Sequence, residues 1–330
     1  MTALADLTES LDRLVADGAL QGWAAGVREA GTTHLTAGGR RTADEPAAIA
    51  SNTKPIAGAL TLRLVELGRL GLDDAVAQWL PELANPRVLT RPGGPLDDTV
   101  AAQRPITVRH LLTMTAGFGW VVEGGPLAAA MDELQVGPGP DAPPMTPDEY
   151  LRRLASLPLA GQPGATWRYH TSSDVLGVLL ARCTGRPVSD LLAEHVTGPL
   201  AMPATHFPTD VAFESLATGL VSTVADQLRF LAAIGDGGGA VLGRASTRQM
   251  CTNQLTPEQR SGADDLLEAG AGWGHHVEVR ADGLVGWAGG RGTIGYVDPA
   301  GGRAAALFTW QGMDTAGTQQ AFAEFWQLFG

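Results

Sequence analysis

One lysine occurs in the 330 residues, Lys54, and it stands three positions after a serine in Ser51-Asn52-Thr53-Lys54. Every other long basic side chain is an arginine. A guanidinium stays charged at any ordinary pH, whereas an amine can give up its proton. A chain that keeps its one amine here therefore points to acid–base chemistry at this position. The segment also constrains the fold. Downstream of Pro55, residues Ile56, Ala59, Leu60, Arg63, Leu64 and Leu67 recur at helical spacing, and Gly68 is a natural stop. Ser51 is expected as the N-cap, with Pro55 in the first turn, where its missing N–H costs least. Residues three apart on a helix share a face, so Lys54 reaches back toward the Ser51 hydroxyl at the positive end of the helix dipole. An amine that takes the proton and a dipole that favours the alkoxide together make a serine nucleophile. The plain alternative is a serine cap beside a surface lysine.

The formal net charge is −12, with acidic groups spread along the chain. That argues against nucleic acid or an anionic membrane as partner, since both need basic patches. Met1 to Gln21 reads as an acidic amphipathic helix through Leu4, Leu7, Leu11, Leu14 and Val15, without the basic start and apolar run of a signal peptide. No apolar stretch approaches transmembrane length. Cys183 and Cys251 are too few for a disulfide framework or a metal cluster and read as small buried residues. A soluble, cytoplasmic protein with no metal and no cofactor is expected.

Gly22–Glu29 and Thr32–Gly39 read as a hairpin around Ala30-Gly31. Thr107 to Met114 reads as a short helix capped by Thr107 and closed before Gly117. Residues 119–145 read as irregular, ending in Gly137-Pro138-Gly139-Pro140-Asp141-Ala142-Pro143-Pro144, and a loop of that length suggests a lid, a binding loop or a disordered segment. Thr146-Pro147-Asp148-Glu149 opens the next helix with a cap, a proline at the first position and a capping-box glutamate. Further helices are expected near 172–184, 188–197 and 222–235. Trp273–Arg280, Thr293–Val297 and Arg303–Trp310 read as strands, and Phe322–Phe329 as a closing helix. Strands at both ends predict an α/β (α+β) fold: one antiparallel sheet from the two termini, flanked by helices, with an inserted, mostly helical region. The whole chain then forms one catalytic domain, its α/β part about 1–75 and 215–330 and its helical part about 76–214.

Two later segments bear on function: Trp167-Arg168-Tyr169-His170-Thr171-Ser172-Ser173-Asp174 and Gly286-Trp287-Ala288-Gly289-Gly290-Arg291-Gly292-Thr293. With Ser51-x-x-Lys54, in this order, they resemble the class C β-lactamase-like serine hydrolases, a family that includes family VIII carboxylesterases, D-aminopeptidases, D,D-peptidases and acyltransferases. The resemblance implies a β-lactamase/penicillin-binding-protein fold and gives roles to residues. Ser51 would be the acylated nucleophile and Lys54 would help deprotonate it. Tyr169 would match the tyrosine of the family's Tyr-x-Asn motif and shuttle the proton. The N–H groups of Ser51 and Gly290 would form the oxyanion hole.

Departures from the family pattern bear on substrate. Trp287-Ala288-Gly289 stands where β-lactamases carry Lys-Thr-Gly or His-x-Gly, so the cation for a substrate carboxylate is replaced by an apolar wall. Thr171 stands in place of the asparagine and offers no amide to an acylamino side chain. Arg291 could supply a replacement cation or point into water, and Trp120 is a second pocket candidate. His275 and His276, on an expected strand, would point to opposite faces. These changes favour a carboxylesterase acting on a small ester. The alternatives are a β-lactamase, a D-aminopeptidase or amidase, an acyltransferase, and a penicillin-binding-like protein without turnover.

Overall fold

The computed structural model describes residues 2–329 apart from 262, 264 and 265; Met1, at the head of the expected first helix, lies outside the described residues. Helix α1 (Thr2–Ala16) leads into the hairpin of β1 (Gly22–Glu29) and β2 (Thr32–Gly39). Its turn residues Ala30 and Gly31 take φ values of +48° and +78°, the reversal that matches strand twist. A short strand β3 (Ala47–Ala48) precedes α2 (Thr53–Glu66). The middle of the chain holds the small hairpin β4 (Arg87–Leu89) and β5 (Thr99–Ala101), then α3 (Val108–Leu112), α4 (Pro126–Glu133), α5 (Pro147–Ala155), α6 (Thr171–Thr184) and α7 (Val188–Leu192). After β6 (Val221–Ser222) come α8 (Val224–Gly235), α9 (Arg244–Met250) and α10 (Pro257–Arg260). The chain then runs through β7 (Gly272–Trp273), β8 (Glu278–Val279), β9 (Val285–Gly289), β10 (Thr293–Val297) and β11 (Ala304–Phe308) to α11 (Ala316–Phe325).

The main sheet has seven strands in the order β2-β1-β11-β10-β9-β8-β7, with every neighbouring pair antiparallel. The N-terminal hairpin thus pairs with the last strand of the chain, joining the two ends as expected. Successive residues of β1 and β11 enter different cores. Leu7, Leu11 and Leu14 of α1 pack with Trp23, Ala25, Leu307 and Phe325 on one face. Ala24, Ala306 and Phe308 pack with Leu228 and Leu231 of α8 on the other. Burying one such leucine contributes roughly 1.5–3 kcal/mol, so the sheet is clamped from both sides.

The structure departs from the sequence reading in four places. The stretch 119–145 is not irregular throughout: α4 lies within it, started by Pro126 and buried through Leu127 and Met131. Trp273–Arg280 is not one strand but two short ones around a bend, with His276 at φ +65°. His275 and His276 therefore lie in that bend, both fully buried, rather than on opposite faces of a strand. Thr146 does cap α5 through the Glu149 N–H, but the Glu149 carboxylate pairs with Arg152 and Arg153 rather than closing a capping box. Cys183 and Cys251 are half-buried free thiols rather than fully buried ones.

Candidate active site

The site begins where the chain crosses from β3 to α2. Ala50 sits in the left-handed region at φ +45°, a conformation that costs a non-glycine residue energy and tends to occur where geometry matters. It starts one turn of 3-10 helix, Ala50–Asn52, that runs into α2. Ser51 is therefore not the helix cap that the sequence suggested: the N-cap position falls to Asn52, which makes no side-chain cap. The Ser51 hydroxyl is left for another partner. Lys54 Nζ donates to it at 3.0 Å and to the carbonyl of Ala217 at 2.8 Å. The amine is fully buried, which pulls its pKa well down from the usual lysine range, while the facing Asp174 carboxylate pulls the other way.

Strand β10 holds this turn in place. Thr293 Oγ1 donates to the Ile49 carbonyl at 2.8 Å and accepts from Asn52 Nδ2 at 3.0 Å. Gly289 on β9 passes so close that a Cβ there would stand 2.2 Å from the Ile49 oxygen; only glycine fits. Gly290 follows at the end of the strand. Among the described residues, neither its N–H nor that of Ser51 is taken by another backbone carbonyl.

Tyr169 enters from the helical region, just before α6. Its hydroxyl faces Ser51 and accepts a hydrogen bond from Trp287 Nε1. Burial raises its pKa above the ordinary phenol value, while the bonds to Ser51 and Trp287 work against that rise. The Lys54 Nζ lies 4.5 Å from the ring centroid, over its face. Trp167 stacks on Tyr169 at 5.6 Å, and Trp273 meets Trp287 edge-on at 5.0 Å. These four rings, with Leu255 and Leu267, make a dry wall.

Behind the amine lies Asp174, 2% exposed. It accepts from Ser215 Oγ at 2.6 Å, and burial raises its pKa. His170 Nε2 stands 3.7 Å from the same carboxylate. His170 takes φ +88° and is buried, so it does not face solvent; burial and the Lys54 charge hold its pKa well below the ordinary histidine value, leaving the ring neutral.

Of the residues marked in the sequence, Ser51, Lys54, Tyr169 and Trp287 meet here, with Gly289 and Gly290 alongside. Three others are placed differently. Thr171 is fully buried at the start of α6, its hydroxyl facing that of Tyr150, so it turns away from the cleft. Ala288 alternates with Trp287 across the sheet and packs with the α1–α11 core on the far face. Arg291 is no free cation: it pairs with Asp141. Trp120 is 47% exposed, and its backbone N–H donates to the Tyr169 carbonyl at 2.9 Å. Pro140 reaches the same rim, its Cβ 3.8 Å from where a Gly290 Cβ would stand. Asn52, Thr293, Trp273 and the 215–218 turn were missed by sequence reasoning, because their roles come from packing across long separations. Among the described residues no cluster of metal-ligating side chains occurs, and no helix is long and apolar enough to cross a membrane.

This arrangement is that of the serine-reactive β-lactamase fold. The solved structure of EstCE1, described as a hydrolase with promiscuous acyltransferase activity, superposes with a TM-score of 0.83 at 21% identity, covering 100% of this chain and 99% of that one. Unliganded simvastatin synthase from Aspergillus terreus gives 0.82 at 18% identity, with 100% and 98% covered. In sequence, protein Rv1367c of Mycobacterium tuberculosis is 33% identical over 326 residues, 83% of this chain and 79% of that protein. Esterase EstB of Burkholderia gladioli is 40% identical over 155 residues, 47% of this chain and 36% of that protein. The family model described as Beta-lactamase matches residues 7–321. The chain belongs to this beta-lactamase family and is a serine hydrolase.

Proposed function

We propose that this serine hydrolase is a carboxylesterase for small, uncharged esters, working through an acyl-enzyme on Ser51. One observation carries the substrate reading: the cation that would hold a substrate carboxylate is replaced by Trp287, whose indole N–H is committed to Tyr169. The nearby arginines are also committed, Arg291 to Asp141 and Arg168 to Glu123. The kinship with EstB supports an ester, though that match covers about a third of EstB.

In the proposed reaction Lys54 accepts the Ser51 proton as Oγ attacks the ester carbonyl. The N–H groups of Ser51 and Gly290 stabilise the oxyanion. The C–O bond to the alcohol then breaks, and the proton returns to the departing oxygen by way of the Tyr169 phenol. Water, activated in the same manner, releases the acyl group. Trp120 and Pro140 would border the entering substrate. Because Ser51 and Lys54 sit against the sheet and Tyr169 comes from the helical region, the two parts act as one catalytic domain. The dry aromatic wall leaves room for a second reading, in which an alcohol intercepts the acyl group.

The test is hydrolysis of p-nitrophenyl butyrate beside a chromogenic cephalosporin, by the wild type and Ser51→Ala. Ester turnover that vanishes in the variant, with little cephalosporin cleavage, is expected. Cephalosporin cleavage dominating would overturn the substrate reading. Added alcohol that diverts product from acid to ester would favour acyl transfer.

A further inference from the structure

The buried carboxylate behind Lys54 has no part in the reaction as written above, yet its hydrogen bond to Ser215 starts a path that leads to the amine. Asp174 accepts from Ser215 Oγ at 2.6 Å. Ser215 Oγ in turn accepts the N–H groups of Ala217 and Thr218, at 3.2 and 3.1 Å. The carbonyl of Ala217 is the second acceptor for Lys54 Nζ, at 2.8 Å. The path runs Asp174, Ser215, Ala217, Lys54, Ser51, with no exposed group in it.

The other groups around this path are neutral. Asp174 is faced by His170 from the residue before α6, by Tyr150 from α5 and by Lys54 from α2. Lys54 is faced by Asp174, by the Tyr169 ring, by His170 and by His276 from the bend after β7. Both histidines are held below their ordinary pKa, chiefly by burial. Among the described residues, Asp174 is therefore the group that can carry negative charge opposite the amine.

We propose that Asp174 is a positioning residue for the reaction at Ser51: it braces the 215–218 turn that aims the Lys54 amine, and it supplies the counter-charge when that amine takes the serine proton. An ammonium formed in a dry site is costly without an opposite charge nearby. The proton arrives from Ser51 Oγ as the Oγ–C bond forms and leaves when the alcohol departs. The counter-charge is thus needed during the proton transfers of acylation and deacylation rather than for binding. This proposal rests on the Ser51 acyl-enzyme reading.

The two functions separate in two variants. Asp174→Asn keeps the shape and can still accept from Ser215, but it removes the charge. Plateau kcat should fall about tenfold to a hundredfold with little change in KM. The acid limb of the kcat/KM profile should move to lower pH by about one unit or more, because a carboxylate favours the charged amine. Ser215→Ala keeps the charge and loosens the turn; kcat should fall while the limb stays near its wild-type position. Burst kinetics with p-nitrophenyl butyrate should show acylation slowed in both variants. A folded Asp174→Asn protein with wild-type kcat and an unmoved limb overturns the proposal. Should that variant fail to fold, unchanged acylation in Ser215→Ala overturns it instead. Turnover that survives Ser51→Ala removes the underlying reading as well, whereas turnover lost there but intact in Asp174→Asn removes this proposal alone.

Discussion

The floor of the cleft and its rim use charge in opposite ways. At the floor, Lys54 and Asp174 are 0% and 2% exposed, and their neighbours are aromatic rings and neutral histidines. At the rim, Arg291 and Asp141 form an ion pair whose side chains are 49% and 74% exposed. Coulomb energy at the floor is barely screened, so moving one proton there changes the energy of the whole cluster. At the rim, water and salt reduce such a pair to about 0–1 kcal/mol. In the proposed reaction, chemistry is thus concentrated in a few atoms held by β10 and α2, and substrate access would be left to an exposed edge of tryptophan, proline and a weak ion pair.

Substitutions can break or sharpen this contrast. The largest effect is expected from Lys54→Arg. If the floor needed only a positive charge, arginine would serve. Because the proposed reaction needs an amine that can be neutral, kcat/KM for p-nitrophenyl butyrate should fall by about a thousandfold or more. Tyr169→Phe should follow, with a loss of about a hundredfold or more in kcat, since the ring stays over Lys54 but the hydroxyl is gone. Trp287→Phe preserves the wall and deletes the N–H held against Tyr169; steady-state kinetics should show about a tenfold drop in kcat with KM nearly unchanged.

The next test concerns stability. Burial lowers the pKa of His275 to about 4 and of His276 to about 3. In the unfolded chain both titrate near 6.5. Below that value the unfolded state binds more protons, so the stability these groups contribute is complete above pH ~6.5 and is lost as pH falls toward the folded values. The Tm should therefore drop between pH ~6.5 and ~3. His275→Phe should flatten that drop, since neither ring nitrogen of His275 has a hydrogen-bond partner among the described residues. The smallest effect is expected at the rim. Arg291→Ala should change kcat by less than about threefold and show its effect mainly in KM at low salt.

Much of this architecture was readable in the chain. The β1–β2 hairpin follows from its alternation and the Ala30-Gly31 turn, and the Ser51–Lys54 contact follows from helical spacing. Other features had signals that were passed over. Pro126 followed by Leu127 and Met131, one helical turn apart, marks α4. Adjacent strand residues cannot both face a pocket, which separates Trp287 from Ala288. The rest depends on contacts that no local pattern encodes. Ser51 looked like a cap because serine caps helices; its release from that duty depends on Ala50 adopting φ +45°. The bond from Asp174 to Ser215 spans 41 positions, and the Asn52–Thr293 bond spans 241. A residue's helical position shows its dipole preference but not the turn packed behind it.

The central claim is that Ser51 carries the acyl group, and the most direct measurement is mass spectrometry of the protein trapped during p-nitrophenyl butyrate turnover. The account predicts one butyryl adduct on the peptide containing Ser51, formed at the rate of the p-nitrophenol burst and absent from Ser51→Ala. Turnover without an adduct at Ser51, or an adduct on another residue that keeps pace with the burst, would contradict it.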